Sequence, residues 1–531
     1  MMTLEQKIGQ FFFPAVFIND TEENIQATEA LIRKHNIGGL TFFHSRASAA
    51  TNYESKQKVV SYDDSYSKLK ELITRYQKCA TTPLLMSIDA EWGLAMRIEK
   101  TPQYPYAITL GALPETEIGL VYEVGKQIGL DLKAAGIQYN LAPLADINNN
   151  PDNPVIGYRS FGQNKEKVAL FANAYLNGMS DAGILGCLKH FPGHGNTNVD
   201  SHLGLPILNE NLEQLMANEL YPFIKGIENK VDSIMIGHLA VPALNDGHNT
   251  SATLSKHIII DLLRNQLGFE GLVISDALNM KSVSDLYQIK GQLEWEAFNA
   301  GNDVLCFAEN VAEGIQTILK NATPKRIEES FERLWKCKEK VGILNHTNTL
   351  PDLNTTSVDF SISTNLNRKI AENCLTQVLS DTHPSRIQEA NQTNSLAQLS
   401  IYNDGFATKV AQSLPAPIFS IIAGNAIACK ETINAYDTIV ISLFVPKAKP
   451  LNNFDMEDAV LSFLEKLFPT KNCVLYVFGN PYALQVIPNL VQATGIVQMY
   501  QDFTEFQECA GQQLLSNSAC NGSLPVVISN L

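Results

Sequence analysis

The sequence lacks the patterns that mark several common classes of protein. Its nine cysteines include no CxxC or CxxxC pair, which excludes a simple zinc ribbon, and an odd number cannot all pair with one another. No stretch approaches the roughly twenty apolar residues of a membrane span. Charged residues make up 18% of the chain and form no basic cluster. We therefore expect no nucleic-acid partner and no membrane span.

Cofactor-binding motifs are also missing. There is no glycine-rich phosphate loop or dinucleotide fingerprint, and no His, Asp and Glu cluster has metal-ligand spacing. We therefore predict no metal and no organic cofactor. The amino terminus, MMTLEQKIGQ, has no basic stretch followed by an apolar one, which favours a cytoplasmic location. A periplasmic or secreted location would require that a signal peptide had been removed. The sequence predicts no oligomeric state.

What is present is an alternation of short apolar runs and longer helical patterns in a chain of 531 residues, 45% of them apolar. Near-continuous apolar strands are typical of parallel sheets covered by helices. We predict a (β/α)₈ TIM-type barrel over residues 1–345, with a doubly wound open sheet as the alternative. The eight predicted strands are residues 11–18, 39–43, 84–89, 137–146, 184–191, 233–240, 272–278 and 303–307.

A second pattern follows the barrel region. Residues 346–363 are rich in Asn, Thr, Asp, Pro and Ser, which predicts a linker. Residues 364–531 again alternate strands and helices, which predicts a three-layer α/β/α sandwich of undefined role. Its predicted strands are residues 398–403, 418–423, 438–444, 473–478, 495–499 and 524–528.

Polar residues end one predicted barrel strand after another. They are Asp89, Asp146, Lys189 with His190, His238 and Asp276. In such barrels the chemistry lies at the carboxyl ends of the strands. This coincidence predicts an active site at that end of the fold.

The richest segment is Lys189-His190-Phe191-Pro192-Gly193-His194-Gly195, followed by Asp200-Ser201-His202. So many titratable groups beside Pro and Gly are typical of a functional loop. The segment resembles the signature of glycoside hydrolase family 3, in its β-N-acetylglucosaminidase branch. The likeness spans residues 2 to about 340 and continues weakly through the carboxyl-terminal region.

The resemblance implies the catalytic groups. Asp276, in Val273-Ile274-Ser275-Asp276, matches the family nucleophile, whereas without the resemblance a helix N-cap is an equal explanation. His202, paired with Asp200, matches the acid/base dyad that this branch uses in place of a carboxylic acid. From composition alone that pair would be an ordinary surface loop.

The resemblance also implies substrate-binding residues. Arg159, Lys189 and His190 would donate hydrogen bonds to the terminal sugar, Asp89 would accept them from ring hydroxyls, and Arg97 would support Asp89. The alternatives are a strand-end salt bridge for Lys189 and a loop clamp for Arg159.

Three further residues have supporting roles at most. His194 would order the loop, while His238 and Met280 would line or brace the pocket. For the two histidines a purely structural role is at least as well supported.

The chain departs from the family pattern at three places. The segment from Glu91 to Arg97 contains Trp92 where the family often has Gly, Asn196 replaces an Asp after the second His, and Tyr158 replaces an Asp. These changes alter the pocket wall and the charge beside the loop, and they remove no catalytic group.

The resemblance therefore implies a retaining exo-β-N-acetylglucosaminidase that acts on small saccharides or muropeptides. The alternatives within the family are a β-glucosidase or β-xylosidase, and a phosphorylase that uses phosphate as acceptor. From another class, the chain could be a non-catalytic glycan-binding protein.

Overall fold

The protein is described from a computed structural model that covers residues 2–44, 64–197, 204–345, 350–353, 358–379, 384–422, 430–516, 518–529 and 531. The chain divides into two compact units. The first unit comprises Met1–Tyr104, Val121–Ile147 and Val168–Phe360. The second unit comprises Pro105–Leu120, Asn148–Lys167 and Ser361–Leu531.

The strands of the first unit are short, buried and paired in parallel. Proline lacks the N–H that a ladder needs, and Pro14 separates the first predicted strand into two. The strands are β1 (Phe12–Phe13), β2 (Ala15–Phe17), β3 (Gly39–Phe43), β4 (Leu85–Ile88), β5 (Tyr139–Asn140), β6 (Cys187–Phe191), β7 (Ser233–Ile236), β8 (Leu272–Ser275) and β9 (Leu305–Cys306).

These strands form three sheets within the described residues, in the orders β2-β3-β4-β5, β6-β7-β8 and β1-β9. Isolated parallel bridges also join Tyr139 to Leu185 and Ile274 to Val304. The predicted α/β class with parallel strands is confirmed. The described residues do not form the single closed sheet of a TIM-type barrel, because the hydrogen-bonded ladders between neighbouring strands do not join the three sheets into one. The predicted strand at 137–146, for example, pairs with β4 only at Tyr139 and Asn140.

Helices separate most of these strands. The helix at Ile118–Ala135 follows the predicted spacing, because Val121, Val124, Ile128 and Leu132 fall on its buried face. The α-helices before residue 345 are Leu4–Gly9, Glu22–His35, Ser65–Cys79, Ala107–Gly111, Ile118–Ala135, Lys165–Asp181, Leu212–Ala217, Tyr221–Glu228, Lys281–Ser284, Gln292–Ala300, Val311–Asn321 and Pro324–Lys340. His257–Gln266 is a π-helix.

The second unit contains one six-stranded sheet in the order β10-β15-β14-β13-β11-β12. Its strands are β10 (Thr376–Leu379), β11 (Leu396–Ile401), β12 (Ile418–Ile421), β13 (Thr438–Phe444), β14 (Asn472–Phe478) and β15 (Gly495–Gln498). All pairs are parallel except β10 with β15. Its α-helices after residue 360 are Ser361–Cys374, Pro384–Gln392, Gly405–Ala411, Lys430–Ile433, Asp458–Leu467 and Thr504–Ser516.

The second unit differs from the expectation at two elements. The strand β10 was not predicted, whereas residues 524–528, predicted as a strand, have no ladder partner among the described residues. The last three residues of the predicted linker, 361–363, begin a helix.

Two segments before residue 345 belong to the second unit. Ile108 packs in the same buried core as Leu399. The Gln163 N–H donates to the Pro525 carbonyl at 3.0 Å, and the Ser523 N–H donates to the Ala112 carbonyl at 3.0 Å. A boundary at residue 345 therefore does not by itself separate the two units.

Two features bear on the expected class of protein. In the described part of the chain, no helix is long and apolar enough to cross a membrane. The eight cysteines that the structure describes are all free thiols.

Candidate active site

A cluster of charges lies where β4 and β6 end. Asp89 follows β4, and its Oδ1 accepts a hydrogen bond from Lys189 Nζ at 2.8 Å. Its Oδ2 accepts from Arg97 Nη2 at 3.1 Å. Lys189 Nζ also lies 2.9 Å from Glu91 Oε1. The fold thus brings Asp89, Arg97 and Lys189 together with one further carboxylate.

The charges of this cluster fix the protonation state of Asp89. Burial alone would raise the pKa of this carboxyl, but the cations of Lys189 and Arg97 outweigh burial and hold the pKa well below its usual range. Asp89 is therefore an anion near neutral pH, and it remains partly exposed. An ionised carboxylate of this kind can accept hydrogen bonds from hydroxyl groups.

Arg97 is held by packing as well as by charge. Its guanidinium carbon lies 3.8 Å from the centroid of the Phe43 ring, at the end of β3. A guanidinium stacked on an aromatic face keeps few alternative orientations. The expected role of Arg97, support of the Asp89 carboxylate, agrees with this geometry.

Asp146 fixes the loop that follows β6. This buried carboxylate accepts from the His194 N–H at 2.7 Å and from the His190 N–H at 3.2 Å. Its Oδ2 also lies 2.8 Å from His190 Nδ1. Because Asp146 contacts both the backbone N–H and the imidazole of His190, the ring of His190 has a defined orientation.

His194 is buried within that loop. Burial, and to a smaller extent the nearby His190, lower its pKa to about 4 against the opposing effects of Asp146 and Asp276. Its Nδ1 lies 2.7 Å from the Thr197 hydroxyl. His194 is therefore a neutral imidazole at physiological pH. Its position supports the predicted role of ordering the loop.

Backbone geometry requires the two glycines of this loop. A Cβ on Gly195 would lie 1.6 Å from the Ile147 carbonyl oxygen. Gly193 has φ +124°, a conformation that favours glycine. The sequence pattern Gly-His-Gly thus allows the backbone to turn tightly over the preceding strand.

Asp276 lies immediately after β8. Its N–H donates to the Ile236 carbonyl of β7 at 3.0 Å, and its Oδ1 accepts from the Ala277 N–H at 2.8 Å. Burial raises the pKa of the neighbouring Cys306 thiol, and the carboxylates of Asp89 and Asp276 both contribute to the rise. The Cys306 N–H donates to the hydroxyl of Ser275, the residue before Asp276, at 3.0 Å.

His238 and Met280 brace the turn that contains Asp276. His238 Nε2 donates to the Ala277 carbonyl at 2.9 Å, and its Nδ1 lies 2.8 Å from the Thr253 hydroxyl. The Met280 N–H donates to the same Ala277 carbonyl at 3.1 Å. Because a carbonyl can only accept, both residues hold the turn rather than carry protons in it.

Three further predicted residues remain. Arg159 belongs to the second unit, where it ends a 3₁₀ helix (Gly157–Arg159) and its Nη1 donates to the Val155 carbonyl at 3.2 Å. Asp200 and His202 lie outside the described residues.

Two carboxylates of the site had no predicted role. Asp146 was noted only as a strand end, and Glu91 only as part of a sequence departure. Asp146 contacts His190, 44 residues later in the chain, and Glu91 contacts Lys189, 98 residues later. No local sequence pattern could therefore identify these two carboxylates as part of the site. Among the described residues no group of three or more His, Cys, Asp or Glu side chains could hold a metal ion.

Comparisons with known proteins identify the family of this chain. The model of the family described as "Glycosyl hydrolase family 3 N terminal domain" matches residues 3–337. The chain belongs to glycoside hydrolase family 3. The resemblance of the Lys189–Gly195 segment is thereby confirmed, and the matched region contains every predicted site residue.

The sequence relatives carry one activity name. Beta-hexosaminidase A of Pseudoalteromonas piscicida is 34% identical over 288 residues, which cover 52% of this chain and 46% of that protein. Beta-hexosaminidase of Xylella fastidiosa (strain M12) is 33% identical over 261 residues, which cover 48% of this chain and 76% of that protein. The match thus spans about half the length of the first of these relatives.

A solved structure shares the fold over nearly the whole chain. It is a glycoside hydrolase family 3 beta-N-acetylglucosaminidase from Paenibacillus sp. str. FPU-7, 24% identical, with a TM-score of 0.80 and 99% of each chain covered. The similarity in fold therefore extends beyond the family match, which ends before Ser361, through the second unit.

Proposed function

We propose that the chain is a retaining exo-β-N-acetylglucosaminidase that releases terminal β-linked N-acetylglucosamine. The observation that carries the proposal is the position of two carboxylates directly after parallel strands, Asp276 after β8 and an ionised Asp89, held by two cations, after β4. Membership of family 3 and the beta-hexosaminidase names of its relatives support the acetamido sugar as substrate.

In the first step Asp276 attacks the anomeric carbon, and the glycosidic C–O bond breaks. His202, with Asp200 behind it, donates a proton to the leaving oxygen. In the second step His202 takes a proton from water, whose oxygen displaces Asp276 and restores the original configuration. The Ala277 N–H on Asp276 Oδ1 orients the attacking carboxylate. No cofactor enters either step.

The remaining residues hold the sugar. Asp89 accepts hydrogen bonds from ring hydroxyls, since each of its oxygens has one cationic donor and room for another hydrogen bond. Lys189 and His190 donate to the sugar. Asp146 fixes the His190 ring in one orientation. The family resemblance gives Arg159 a donor role as well.

We also propose that the natural substrates are peptidoglycan fragments with β-1,4-linked N-acetylglucosamine. The test is incubation of defined muropeptides with the protein, followed by mass spectrometry. Loss of one N-acetylhexosamine from the non-reducing end is expected. Intact fragments, in the presence of activity on synthetic glycosides, would exclude this substrate class but not the reaction.

The reaction itself is tested with 4-nitrophenyl glycosides. We expect clear preference for the β-N-acetylglucosaminide over the β-glucoside and β-xyloside. Faster turnover in phosphate, with a sugar 1-phosphate as product, would indicate a phosphorylase. Preference for the glucoside would contradict the assignment of the dyad. Sugar binding without turnover of any glycoside would favour a non-catalytic binding protein.

Variants separate the two catalytic roles. Asp276→Asn should abolish turnover, whereas Asp285→Asn, a matched change at an exposed neighbour, should retain it. His202→Ala should lose more activity on 4-nitrophenyl than on 2,4-dinitrophenyl glycosides, because the better leaving group needs no proton. Equal losses on the two substrates would contradict acid catalysis by His202, and a fully active, folded Asp276→Asn protein would exclude Asp276 as nucleophile.

A further inference from the structure

Two side-chain contacts join the end of β3 to the segment that follows β4. In the first, the Arg97 guanidinium carbon lies 3.8 Å from the centroid of the Phe43 ring. In the second, His44 Nε2 is hydrogen-bonded to Glu99 Oε1. The partners are adjacent on the first segment and two residues apart on the second. The two contacts therefore run side by side between the same two segments.

The His44–Glu99 pair is shielded from water and attached to a fixed strand end. The side chains of His44 and Glu99 are 9% and 27% exposed. The Ile18 N–H, directly after β2, donates to the Phe43 carbonyl at 3.0 Å. The Asn19 N–H donates to the His44 carbonyl at the same distance. Because partly buried pairs are weakly screened by salt, His44 holds the segment of Glu99 against the end of β3.

The segment held in this way contains the guanidinium that binds Asp89. Arg97 lies between the 3₁₀ helix Leu94–Met96 and Glu99, and its Nη2 donates to Asp89 Oδ2 at 3.1 Å. A shift of the segment would move the guanidinium away from Phe43 and reorient the Asp89 carboxylate. Since a misplacement of about 1 Å can lower an enzymatic rate about 100-fold, the position of this segment matters for sugar binding.

An ion pair at this place supplies direction more than stability. Replacement of a partly buried ion pair by apolar side chains is often neutral or stabilising. A hydrogen bond between an imidazole N–H and a carboxylate, however, has a narrow range of distances and angles. The His44–Glu99 pair therefore fixes the register of the two segments, which apolar side chains would hold less exactly.

We propose that His44 and Glu99 are positioning residues for sugar binding. Their hydrogen bond keeps the Arg97 guanidinium on the Phe43 ring. Arg97 in turn keeps the Asp89 carboxylate oriented toward the ring hydroxyls of the terminal sugar. This role rests on the proposed function of Asp89, and it adds two residues that the steps of the reaction do not use.

The first test measures kcat and KM for 4-nitrophenyl β-N-acetylglucosaminide in variants of the full chain. His44→Leu removes the hydrogen bond, and kcat/KM should fall about tenfold. His44→Gln keeps an N–H donor near the position of Nε2, so it should recover most of that loss. Lys7→Met breaks a partly buried ion pair with Glu328 between two outer helices and should leave kcat/KM unchanged. Unchanged kcat/KM in His44→Leu would overturn the positioning role.

A double-mutant cycle tests whether His44 acts through Arg97. In the Arg97→Met protein the guanidinium that the pair holds is gone, so His44→Leu should lower kcat/KM by less than about twofold more. A further tenfold fall would contradict the positioning role and assign the effect to general damage of the fold. If His44→Leu does not fold, Glu99→Ala takes its place, because it breaks the same hydrogen bond from the more exposed partner.

A structural measurement separates this role from the proposed function, because it needs no turnover. Crystal structures of the unmodified protein and of His44→Leu give the distance between Arg97 Nη2 and Asp89 Oδ2. We expect it to lengthen in the variant from 3.1 Å to beyond hydrogen-bonding distance. An unchanged distance would overturn the positioning role whatever the activity. A lengthened distance, with no turnover of any glycoside by the unmodified protein, would contradict the proposed function and still support the positioning of Asp89.

Discussion

Asp303 precedes β9 and Asp89 follows β4, and both carboxylates lie beside cationic side chains. Asp303 Oδ1 accepts from Arg326, Arg333 and Ser330, and its Oδ2 accepts from Arg264 and the Val273 N–H. Asp89 accepts one hydrogen bond from a cationic side chain on each oxygen and keeps partial exposure. The carboxylate at the amino ends of the strands is saturated by its own protein, whereas the one at the carboxyl ends retains accepting capacity for a substrate.

The cationic side chains at the two ends of the strands also differ in their surroundings. Burial raises the pKa of the Asp303 carboxyl, but its three arginines outweigh burial and lower it. Lys189 has two carboxylate partners at the carboxyl ends of the strands. Lys338, near the amino ends, donates to two neutral acceptors, Gln10 Oε1 and the Pro83 carbonyl, each at 2.7 Å. We therefore expect amino-end changes to alter stability and carboxyl-end changes to alter activity.

The largest effect should come from Asp303→Asn. It leaves buried Arg264 without its counter-charge, and loss of one partner of a buried ion pair costs about 3–5 kcal/mol. We expect the free energy of unfolding, measured by urea denaturation, to fall by that amount. Glu329→Gln, which breaks an exposed pair with Lys325, should change it by less than about 1 kcal/mol. Similar losses of unfolding free energy in the two variants would contradict a stabilising role of the Asp303 ion pairs.

Asp89→Asn should show the reverse pattern. We expect kcat/KM for 4-nitrophenyl β-N-acetylglucosaminide to fall about 100-fold, or about 2.7 kcal/mol of transition-state stabilisation, because a charged acceptor for the sugar is lost. The free energy of unfolding should fall less than in Asp303→Asn, since Lys189 keeps Glu91 as a partner. A large loss of stability with unchanged kcat/KM would show that Asp89 stabilises the fold and does not bind the sugar.

Much of the first unit was predictable because its strands are apolar runs bounded by polar residues. β3 has the predicted bounds of 39–43, Asp89 and Asp276 directly follow β4 and β8, and Lys189 lies within β6. In the second unit, β10 could not be predicted from the sequence. The strand Thr376–Leu379 follows the helix Ser361–Cys374 with one residue, Leu375, between them. No turn residue marks that strand.

The parts that could not be predicted depend on contacts between distant residues. Glu91 becomes part of the site only through Lys189, and Asp146 only through His190 and His194. Likewise, the hydrogen bonds that Glu294 Oε1 accepts come from Asn310, sixteen residues later. Periodicity and motif spacing report local structure, so they identify the strand ends but not which side chains meet there.

A third prediction concerns the pH dependence of stability at the amino ends. Burial lowers the pKa of Lys338 to about 7. Above that pH and below the ordinary lysine value, the unfolded chain holds a proton that the folded protein lacks, so stability should rise with pH. From pH 7 to 9 the free energy of unfolding should rise about 1.4 kcal/mol per pH unit more than in Lys338→Met. Lys336→Met, exposed on the same helix, should keep the slope of the unmodified protein.

The smallest effect should come from Glu91→Gln, which separates binding from positioning within one cluster. Glu91 contacts Lys189 at 2.9 Å, so its neutralisation leaves Asp89 as the only charged partner of that lysine in the cluster. Lys189 should then bind Asp89 more tightly and donate less readily to the sugar. We expect KM for 4-nitrophenyl β-N-acetylglucosaminide to rise about fivefold with kcat nearly unchanged, a loss of about 1 kcal/mol of binding. A fall in kcat as large as that of Asp89→Asn would place Glu91 in contact with the substrate and would extend the carboxyl-end class to a second carboxylate.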